Sequence, residues 1–370
     1  MNERQTLLAL HLTGVVGPRR LAALRLSFPN LSDVFGASED RLSYLPTWTI
    51  SVARKVLALE NPEERGNQEI EKAATAGISL LVESDEGFPQ ALRSLYDPPF
   101  VLWMKGAYLP QDEKALAVIG CRQPSSYGRD VAGRLAFDLA RSGYTVVSGL
   151  ARGIDSLAHQ GALRFSTGRT LAFLGSGLLN LYPPENKKLA ERIAEQGALF
   201  SEYPLAGKPL ALHFPQRNRL ISGASKGVLV VEANKNSGSF ITVDHAMDQG
   251  KPVFAVPGPV NHTQSEGTHS LIQQGARLVV GVHDIFDELQ DRKAEKIYRS
   301  QPGAEVTPSV PMEVTEEEKI LLEQMGNDPL HVDALSRSVG LPSRRLNEIL
   351  LVLEIKGLVE QAPGHCYLRL

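Results

Sequence analysis

Six short apolar runs separated by helix-like stretches constrain the fold more than any other feature of the sequence. The runs are 115–120, 144–149, 169–177, 227–233, 251–258 and 276–281. Strands that are apolar on both faces belong inside a parallel sheet covered by helices on both sides. The intervening segments 128–142, 153–165, 185–196 and 239–249 have helical patterning. The alternation predicts an α/β fold, an extended Rossmann-like, doubly wound and mostly parallel sheet, over residues 78–290.

Helical segments flank this region, as expected for a 370-residue chain that is long for one core. Residues 1–72 are predicted to form short helices, and a turn with Gly14 and Gly17 is typical of a helix-hairpin-helix or SAM-like domain. Such a turn either holds a nucleic-acid phosphate or only joins packed helices. Residues 315–370 have the helix, helix, helix and hairpin layout of a winged helix, and the polar stretch 291–314 is predicted to be a linker.

Charge is distributed unevenly along the chain. The net charge of −3 gives no overall sign of nucleic-acid binding. Residues 207–235 nevertheless carry one acidic residue, Glu232, against a set of basic ones: Lys208, Arg217, Arg219, Lys226 and Lys235. A polyanion should therefore be drawn to this segment. The winged-helix segment is acidic overall, so Arg344 and Arg345 on its expected recognition helix serve either DNA or a protein contact.

The loops after the predicted strands, where doubly wound sheets bind ligands, lack the signatures of nucleotide enzymes. The dinucleotide fingerprint is absent after Gly120 and incomplete at Gly175 and Gly177, and no Walker lysine motif is present. Asp155 and His159 lie four residues apart, but no third ligand accompanies them. We interpret them as a helix-start aspartate and a hydrogen-bonded histidine, and we predict no metal, no cofactor and no catalysis.

A phosphate-binding site fits the residues of these loops better than the site of a nucleotide enzyme does. Ser237, Gly238 and Ser239 precede a predicted helix, whose free amides and positive dipole end favour a phosphate. Capping by one serine is the alternative, but Lys235 and the second serine favour an anion. Arg122, at the end of the first predicted strand, either binds a phosphate bidentately or forms an ion pair with Asp130 or Asp155.

The segment 213–226 is predicted to contain a helix with basic residues. Helical spacing places Arg219 and Lys226 on one face, which we expect to meet solvent or ligand. Arg217, nearer the helix start, is expected to be more sheltered and to brace a neighbouring loop. Phe214 is either a core residue or a platform on which a base stacks, and the sequence alone favours the core.

Taken together, several motifs closely resemble the DNA-processing protein A family, also called DprA or Smf. They are VSGLARGID, GSGL, YPPEN, SEYP, HFPQRNRLISG, SGSFIT and VFAVPG, and the match covers residues 78–282 in order. The resemblance implies a cytoplasmic bacterial protein of natural transformation that binds incoming single-stranded DNA, protects it and helps to load the RecA recombinase. It also implies a homodimer without catalytic activity. No membrane contact is expected, since no apolar run approaches the length of a membrane span.

The resemblance also implies roles for individual residues. With the interpretation of the loops, the expected DNA- or phosphate-binding residues are Gly120, Arg122, Ser125, Phe214, Arg217, Arg219, Lys235, Ser237, Gly238 and Ser239. Phe214 then belongs to the DNA pocket rather than the core, and His269, Ile272 and Leu278 match a region for self-association or recombinase contact. The chain departs from the family at Ala211, where a basic residue is common. It also departs at Cys121, which replaces serine or threonine, and at His269, where asparagine is common.

Two other classes of function compete with this interpretation. A nucleotide-processing phosphoribohydrolase of the lysine-decarboxylase-like group has a similar sheet but needs a P-G-G-x-G-T-x-x-E motif. The nearest stretch, EANKNSGSFITVDHA, has no glutamate after its turn. The third possibility is an interaction scaffold that holds only structural anions.

Overall fold

The computed structural model describes residues 1–300, 315–325, 330–355, 358–362 and 364–369. The chain divides into two compact units, Met1–Gln301 and Pro302–Leu370. The helices of the first unit are α1 (Glu3–Leu12), α2 (Pro18–Ser27), α3 (Glu39–Ser43), α4 (Ile50–Leu57), α5 (Pro62–Thr75), α6 (Gln90–Arg93), α7 (Ser126–Arg141), α8 (Ile154–Ala162), α9 (Lys187–Gln196), α10 (His213–Gly223), α11 (Ser239–Asp248), α12 (Glu266–Gln273), α13 (Val282–Glu288) and α14 (Arg292–Ser300).

The strands of the first unit form one sheet. They are β1 (Ser79–Val82), β2 (Val101–Gly106), β3 (Ala115–Ile119), β4 (Thr145–Ser148), β5 (Thr170–Leu174), β6 (Ala198–Ser201), β7 (Val228–Val230), β8 (Val253–Ala255) and β9 (Arg277–Leu278). Their order is β1-β2-β6-β5-β4-β3-β7-β8-β9, and of the pairs in this described sheet only β1–β2 and β2–β6 are antiparallel. The prediction of a doubly wound, mostly parallel sheet is confirmed.

Strand β3 shows why the sheet is buried on both sides. Leu116 and Val118 point into a core with α7 and α8, whereas Ala117 and Ile119 point into a second core with α10 and α11. Alternate side chains of a strand leave opposite faces of its sheet, so apolar residues at every position require helices on both faces.

The N-terminal helices share a core with one end of the sheet. Leu7 and Leu24 pack in the same apolar cluster as Trp103 of β2 and Leu189 of α9. The ring of His11 shares a hydrogen bond of 2.7 Å with the backbone oxygen of Glu202, and burial lowers the pKa of this histidine to about 4. Residues 1–75 therefore fold against the sheet within the first unit.

Three details differ from the sequence predictions. The run 276–281 is a strand only at Arg277–Leu278, both exposed, because β9 is the edge of the sheet. Strands β1, β2 and β6 were not among the predicted strands. Part of the predicted linker 291–314 is wrong, since α14 covers residues 292–300 and buries Ala294 in the core beside α7. Residues 301–314 lie outside the described part of the chain.

The second unit has the predicted winged-helix elements. Helices α15 (Glu316–Gln324), α16 (Val332–Val339) and α17 (Ser343–Ile355) accompany strands β10 (Leu330–His331), β11 (Val359–Ala362) and β12 (Cys366–Arg369). The strands form an antiparallel sheet in the order β10-β12-β11. On α17, Arg345 is 2.7 Å from Glu317 and 3.1 Å from Glu348, so internal acids already neutralise it.

None of the helices described is both long and apolar enough to span a membrane. The described residues also contain no cluster of histidine, cysteine and carboxylate side chains arranged to hold a metal ion.

The shared core predicts that the N-terminal helices and the sheet unfold together. The chain has two tryptophans, Trp48 beside α4 and Trp103 in β2. Trp103→Phe leaves Trp48 to report on the helices, and Trp48→Phe leaves Trp103 to report on the sheet. Adding Leu116→Ala, which truncates a fully buried side chain, should cost about 2–5 kcal/mol. Urea unfolding followed by fluorescence should show a similar fall in midpoint for both reporters. An unchanged Trp48 midpoint would mean that the helices fold independently.

Candidate nucleic-acid interface

A cleft lies at the carboxyl ends of β3 and β7, where the sheet changes its winding direction. Strand β3 pairs with β4 on one side and with β7 on the other. The helix after β3, α7, packs on one face of the sheet, and the helix after β7, α11, packs on the other. The two loops therefore diverge, which is the arrangement that creates ligand sites in doubly wound folds. The cleft has a volume of about 740 Å³.

Most of the residues predicted to bind DNA line this cleft. They are Gly120, Arg122, Phe214, Arg217, Ser237, Gly238 and Ser239. Three other predicted residues, Ser125, Arg219 and Lys235, are not among the lining residues. The seven predicted lining residues come from three separate segments of the chain, so the fold brings most of the residues predicted to bind phosphate together in one cleft.

Arg122 is exposed in the loop after β3. It forms no ion pair within 4.0 Å with any residue that the structure describes, so the alternative pairing with Asp130 or Asp155 is absent. The loop itself is fixed at its back by the start of α8, because Ile154 donates a backbone hydrogen bond of 3.2 Å to Cys121. Gly153 adopts φ +76°, and a Cβ there would collide with the same loop. Arg122 thus sits on a braced loop with its charge available.

The polar groups of Ser125 form hydrogen bonds with Glu232. Its backbone N–H donates to Glu232 at 2.9 Å, and its hydroxyl donates to the second oxygen of that carboxylate at 2.5 Å. The hydroxyl also accepts from the backbone N–H of Gly128 at 3.0 Å and thereby caps α7. The structure therefore gives Ser125 a local role outside the cleft lining.

Arg217 is buried at the floor of the cleft, with 4% of its surface exposed. Its guanidinium donates to the backbone oxygens of Gly149, at 2.8 Å, and of Phe173. These carbonyls lie at the ends of β4 and β5, so Arg217 fastens α10 to the sheet, as the bracing interpretation predicts. Burial lowers its pKa to about 10, although Asp155 nearby acts in the opposite direction. The side chain is still protonated at neutral pH, and the Asp155 carboxylate lies beside it.

The prediction that Arg219 faces solvent or ligand is wrong. Arg219 is 8% exposed and donates to both oxygens of Glu202 at 2.6 and 2.7 Å, with Asp97 at 3.0 Å. Lys226 is exposed but lies beyond Gly223, where α10 ends, so the two residues share no helical face. Helical spacing fixes the angle between side chains but not which side of the helix is covered.

Phe214 lies at the cleft rather than in the core. Its ring is half-buried, and its centroid is 5.7 Å from that of Tyr182, another lining residue. A Cβ on Gly175 would come within 2.8 Å of the ring, so this glycine makes room for it. The preference of the sequence alone for a core residue is wrong, and the placement implied by the family resemblance agrees with the structure.

The opposite wall of the cleft is the start of α11. Gly238 is the N-cap and supplies no side-chain cap, and the hydroxyls of Ser237 and Ser239 are 2.9 Å apart. The Ser237 hydroxyl also accepts from the Ser239 N–H at 3.3 Å. The positive dipole end of α11 and two serine hydroxyls thus meet the cleft, a suitable setting for a phosphate. Lys235 is outside it, largely exposed, with its amine 3.9 Å from Glu266.

Several cleft residues escaped the sequence analysis. They are Tyr182, Asn218, Asn234 and Asn236. Tyr182 falls within YPPEN and Asn218 within HFPQRNRLISG, which was the available signal, whereas Asn234 and Asn236 lie outside the motifs that carry the resemblance. Amides and tyrosines are common on surfaces and carry no distinct pattern. Asp155 is the sole carboxylate among the lining residues, and it accepts from the backbone N–H of Gly149 at 3.1 Å.

His159 agrees with the interpretation as a structural histidine. It is fully buried, and its Nδ1 lies 2.6 Å from the hydroxyl of Thr170. Burial lowers its pKa to about 3, with the charge of Arg217 acting in the same direction. A neutral, enclosed imidazole of this kind is unsuited to proton exchange in the cleft.

The residues predicted for self-association lie at the far end of the sheet from β1. His269 and Ile272 are on α12, where the His269 ring is 2.9 Å from the backbone oxygen of Gly258. Leu278 is 42% exposed on the edge strand β9. The fold brings the three residues to one region, away from the cleft lining.

The fold defines a doubly wound α/β protein with a cleft at its topological switch point. Comparison with known proteins then identifies the family. The profile of DNA recombination-mediator protein A matches residues 79–290, and that of the DprA winged helix domain matches residues 305–365. The chain belongs to the family of DNA recombination-mediator protein A, as the sequence motifs predict.

Individual relatives agree with this assignment. The chain is 39% identical to DNA processing protein DprA of Bacillus subtilis over 246 residues, which is 65% of this chain and 82% of the relative. It is 40% identical to protein Smf of Escherichia coli over 298 residues, or 79% of this chain and 77% of the relative. These matches extend across most of both relatives.

Solved structures of the family share the fold. DNA processing protein A from Streptococcus pneumoniae superposes with a TM-score of 0.68 at 32% identity, covering 78% of this chain and 99% of that one. DNA processing protein A from Helicobacter pylori, a structure described for its single-stranded DNA binding mode, superposes with a TM-score of 0.52 at 32% identity. It covers 58% of this chain and 95% of its own.

The contrast between the two cleft arginines gives a prediction about stability. Arg217→Met removes the hydrogen-bond donor of two buried carbonyls and the cation beside Asp155. It should lower the free energy of unfolding by about 3–5 kcal/mol, the cost of breaking a buried pair. Arg122→Met, at an exposed position, should change it by less than about 0.5 kcal/mol. Urea unfolding measures both, and equal effects would contradict the assigned burial.

Proposed function

We propose that the chain is a non-enzymatic protein that binds single-stranded DNA in the cleft between β3 and β7. One observation supports this most strongly: Arg122, an exposed arginine without an ion pair among the described residues, lines the same cleft as the N-terminal end of α11, whose helix dipole favours an anion. Arg122 and the Ser237–Ser239 turn offer charge and amides to successive phosphates, and Phe214 offers a ring to a base. Stacking on aromatic rings tolerates any sequence, because every base has a π-face.

The proposal extends to the cellular role implied by the family resemblance. The protein would act in the cytoplasm during natural transformation, where it protects incoming single strands and helps to load the RecA recombinase. The family description as a recombination mediator and the DNA-binding mode described for the Helicobacter pylori relative support this role. His269, Ile272 and Leu278 are proposed to serve homodimer formation or recombinase contact, supported by the exposure of Leu278 on an edge strand.

The geometry favours binding over catalysis. Hydrolysis of a nucleotide by the phosphoribohydrolase route needs a glutamate free to act on the substrate. The carboxylate that lines the described cleft, Asp155, accepts hydrogen bonds from backbone amides and lies beside Arg217. Glu232 is 2% exposed and bonded to Ser125. Neither carboxylate is placed for general acid–base chemistry.

Charge reversal at Arg122 tests the proposed site. Arg122→Glu should weaken binding of labelled oligo-dT by at least ~30-fold, because losing one side of a close charge pair costs about 2–5 kcal/mol. The milder Arg122→Ala should reduce the salt slope of log affinity by about 0.7, the value for one phosphate of a single strand. Fluorescence anisotropy across a salt series, with duplex DNA in parallel, gives both quantities.

Arg192→Glu is the matched control, since it makes the same charge change at an exposed position of α9. We expect it to leave affinity nearly unchanged. Binding by Arg122→Glu as tight as that of the unmodified chain would refute the cleft as the DNA site. Equal, weak binding of single strands and duplex would instead support a scaffold.

A further inference from the structure

Glu232 is a buried carboxylate that the proposed DNA contacts do not use. It lies two residues after the end of β7 and is 2% exposed. No lysine, arginine or histidine lies within 4.0 Å of it among the residues that the structure describes. A buried carboxylate is costly unless hydrogen bonds replace its hydration. The bonds that compensate Glu232 all come from one loop.

That loop connects β3 to α7 and carries Arg122. Glu232 accepts from the N–H and the hydroxyl of Ser125 at 2.9 and 2.5 Å, and from the Cys121 thiol at 3.8 Å. These contacts lie on both sides of Arg122 in the sequence. Gly128, in the first turn of α7, lies so close to the carboxylate that a Cβ would collide with it. Glu232 therefore joins the end of β7 to both ends of the loop.

We infer that Glu232 is a positioning residue for DNA binding: its carboxylate holds the β3–α7 loop so that Arg122 stands in the cleft. Ser125 is then part of this brace and not a ligand of phosphate. The inference rests on the proposed function, because it concerns how the proposed site is held. It extends that function, because an acidic residue, Glu232, would then support the loop that contacts a polyanion.

Two neutral substitutions separate positioning from simple electrostatics. Glu232→Met has similar size but no hydrogen-bonding group, whereas Glu232→Gln keeps an acceptor for the loop. If the charge alone mattered, both variants would bind oligo-dT equally and more tightly than the unmodified chain, since each removes a repelling charge. Positioning predicts that Glu232→Met binds on the order of 10-fold more weakly, the scale on which outer hydrogen-bond partners affect affinity. Glu232→Gln should recover most of that loss.

The loss of oligo-dT affinity caused by Glu232→Met must also depend on Arg122. In an Arg122→Ala background, Glu232→Met should cause little further loss, because residues that act through one another are not additive. Phe214→Ala, which leaves the loop unchanged, should combine additively with Glu232→Met. Glu266→Met is the control for removing an acid near the rim, and it should leave affinity unchanged or slightly raised.

Fluorescence anisotropy with labelled oligo-dT measures all of these variants, and urea unfolding checks that each is folded. Should Glu232→Met fail to fold, Ser125→Ala removes the hydroxyl half of the brace, and its loss of affinity must likewise vanish in the Arg122→Ala background. The inference is overturned if Glu232→Met binds oligo-dT as tightly as the unmodified chain or more tightly. It is also overturned if Glu232→Met causes its full loss of affinity in the Arg122→Ala background. In both cases the proposed DNA site is unaffected. Failure of the unmodified chain to bind oligo-dT overturns the proposed function and the inference together.

Discussion

The structure depends on one topological constraint, the adjacency of two parallel strands whose following helices lie on opposite faces of the sheet. Strands β3 and β7 are neighbours, but α7 packs with Val131 and Leu135 on one face and α11 packs with Val243 on the other. Their connecting loops must therefore separate above the strand ends. The cleft follows from this separation, and the loops on its two walls bring a cation and helix amides within reach of one ligand.

The arginines near the cleft divide into structural and available groups. Arg217 and Arg219 are both buried, and each donates hydrogen bonds to backbone carbonyls or carboxylates. They fix the position of α10 and could be released for a ligand only at the cost of those bonds. Arg122 has no ion pair to break among the described residues. Under the proposed function, this division lets the buried arginines hold α10 in place while the exposed Arg122 contacts a phosphate.

The sequence predicted the features that depend on local pattern. Alternating apolar runs and helices gave the parallel sheet, and motif order gave the family and several of the cleft residues. Contacts between distant segments left no local signal. Glu232 and Ser125 are 107 residues apart, so neither position reveals the other. Arg219 was misplaced because spacing along a helix does not show which face the rest of the chain covers.

Hydrogen exchange in the presence of oligo-dT tests the central claim most directly, since it locates the bound strand without any substitution. If DNA lies in the cleft, backbone amides at residues 120–125 and 236–241 should exchange more slowly in the complex, while those of α9 should be unaffected. Protection confined to the winged-helix unit, with both cleft loops exchanging as in the free protein, would contradict the account.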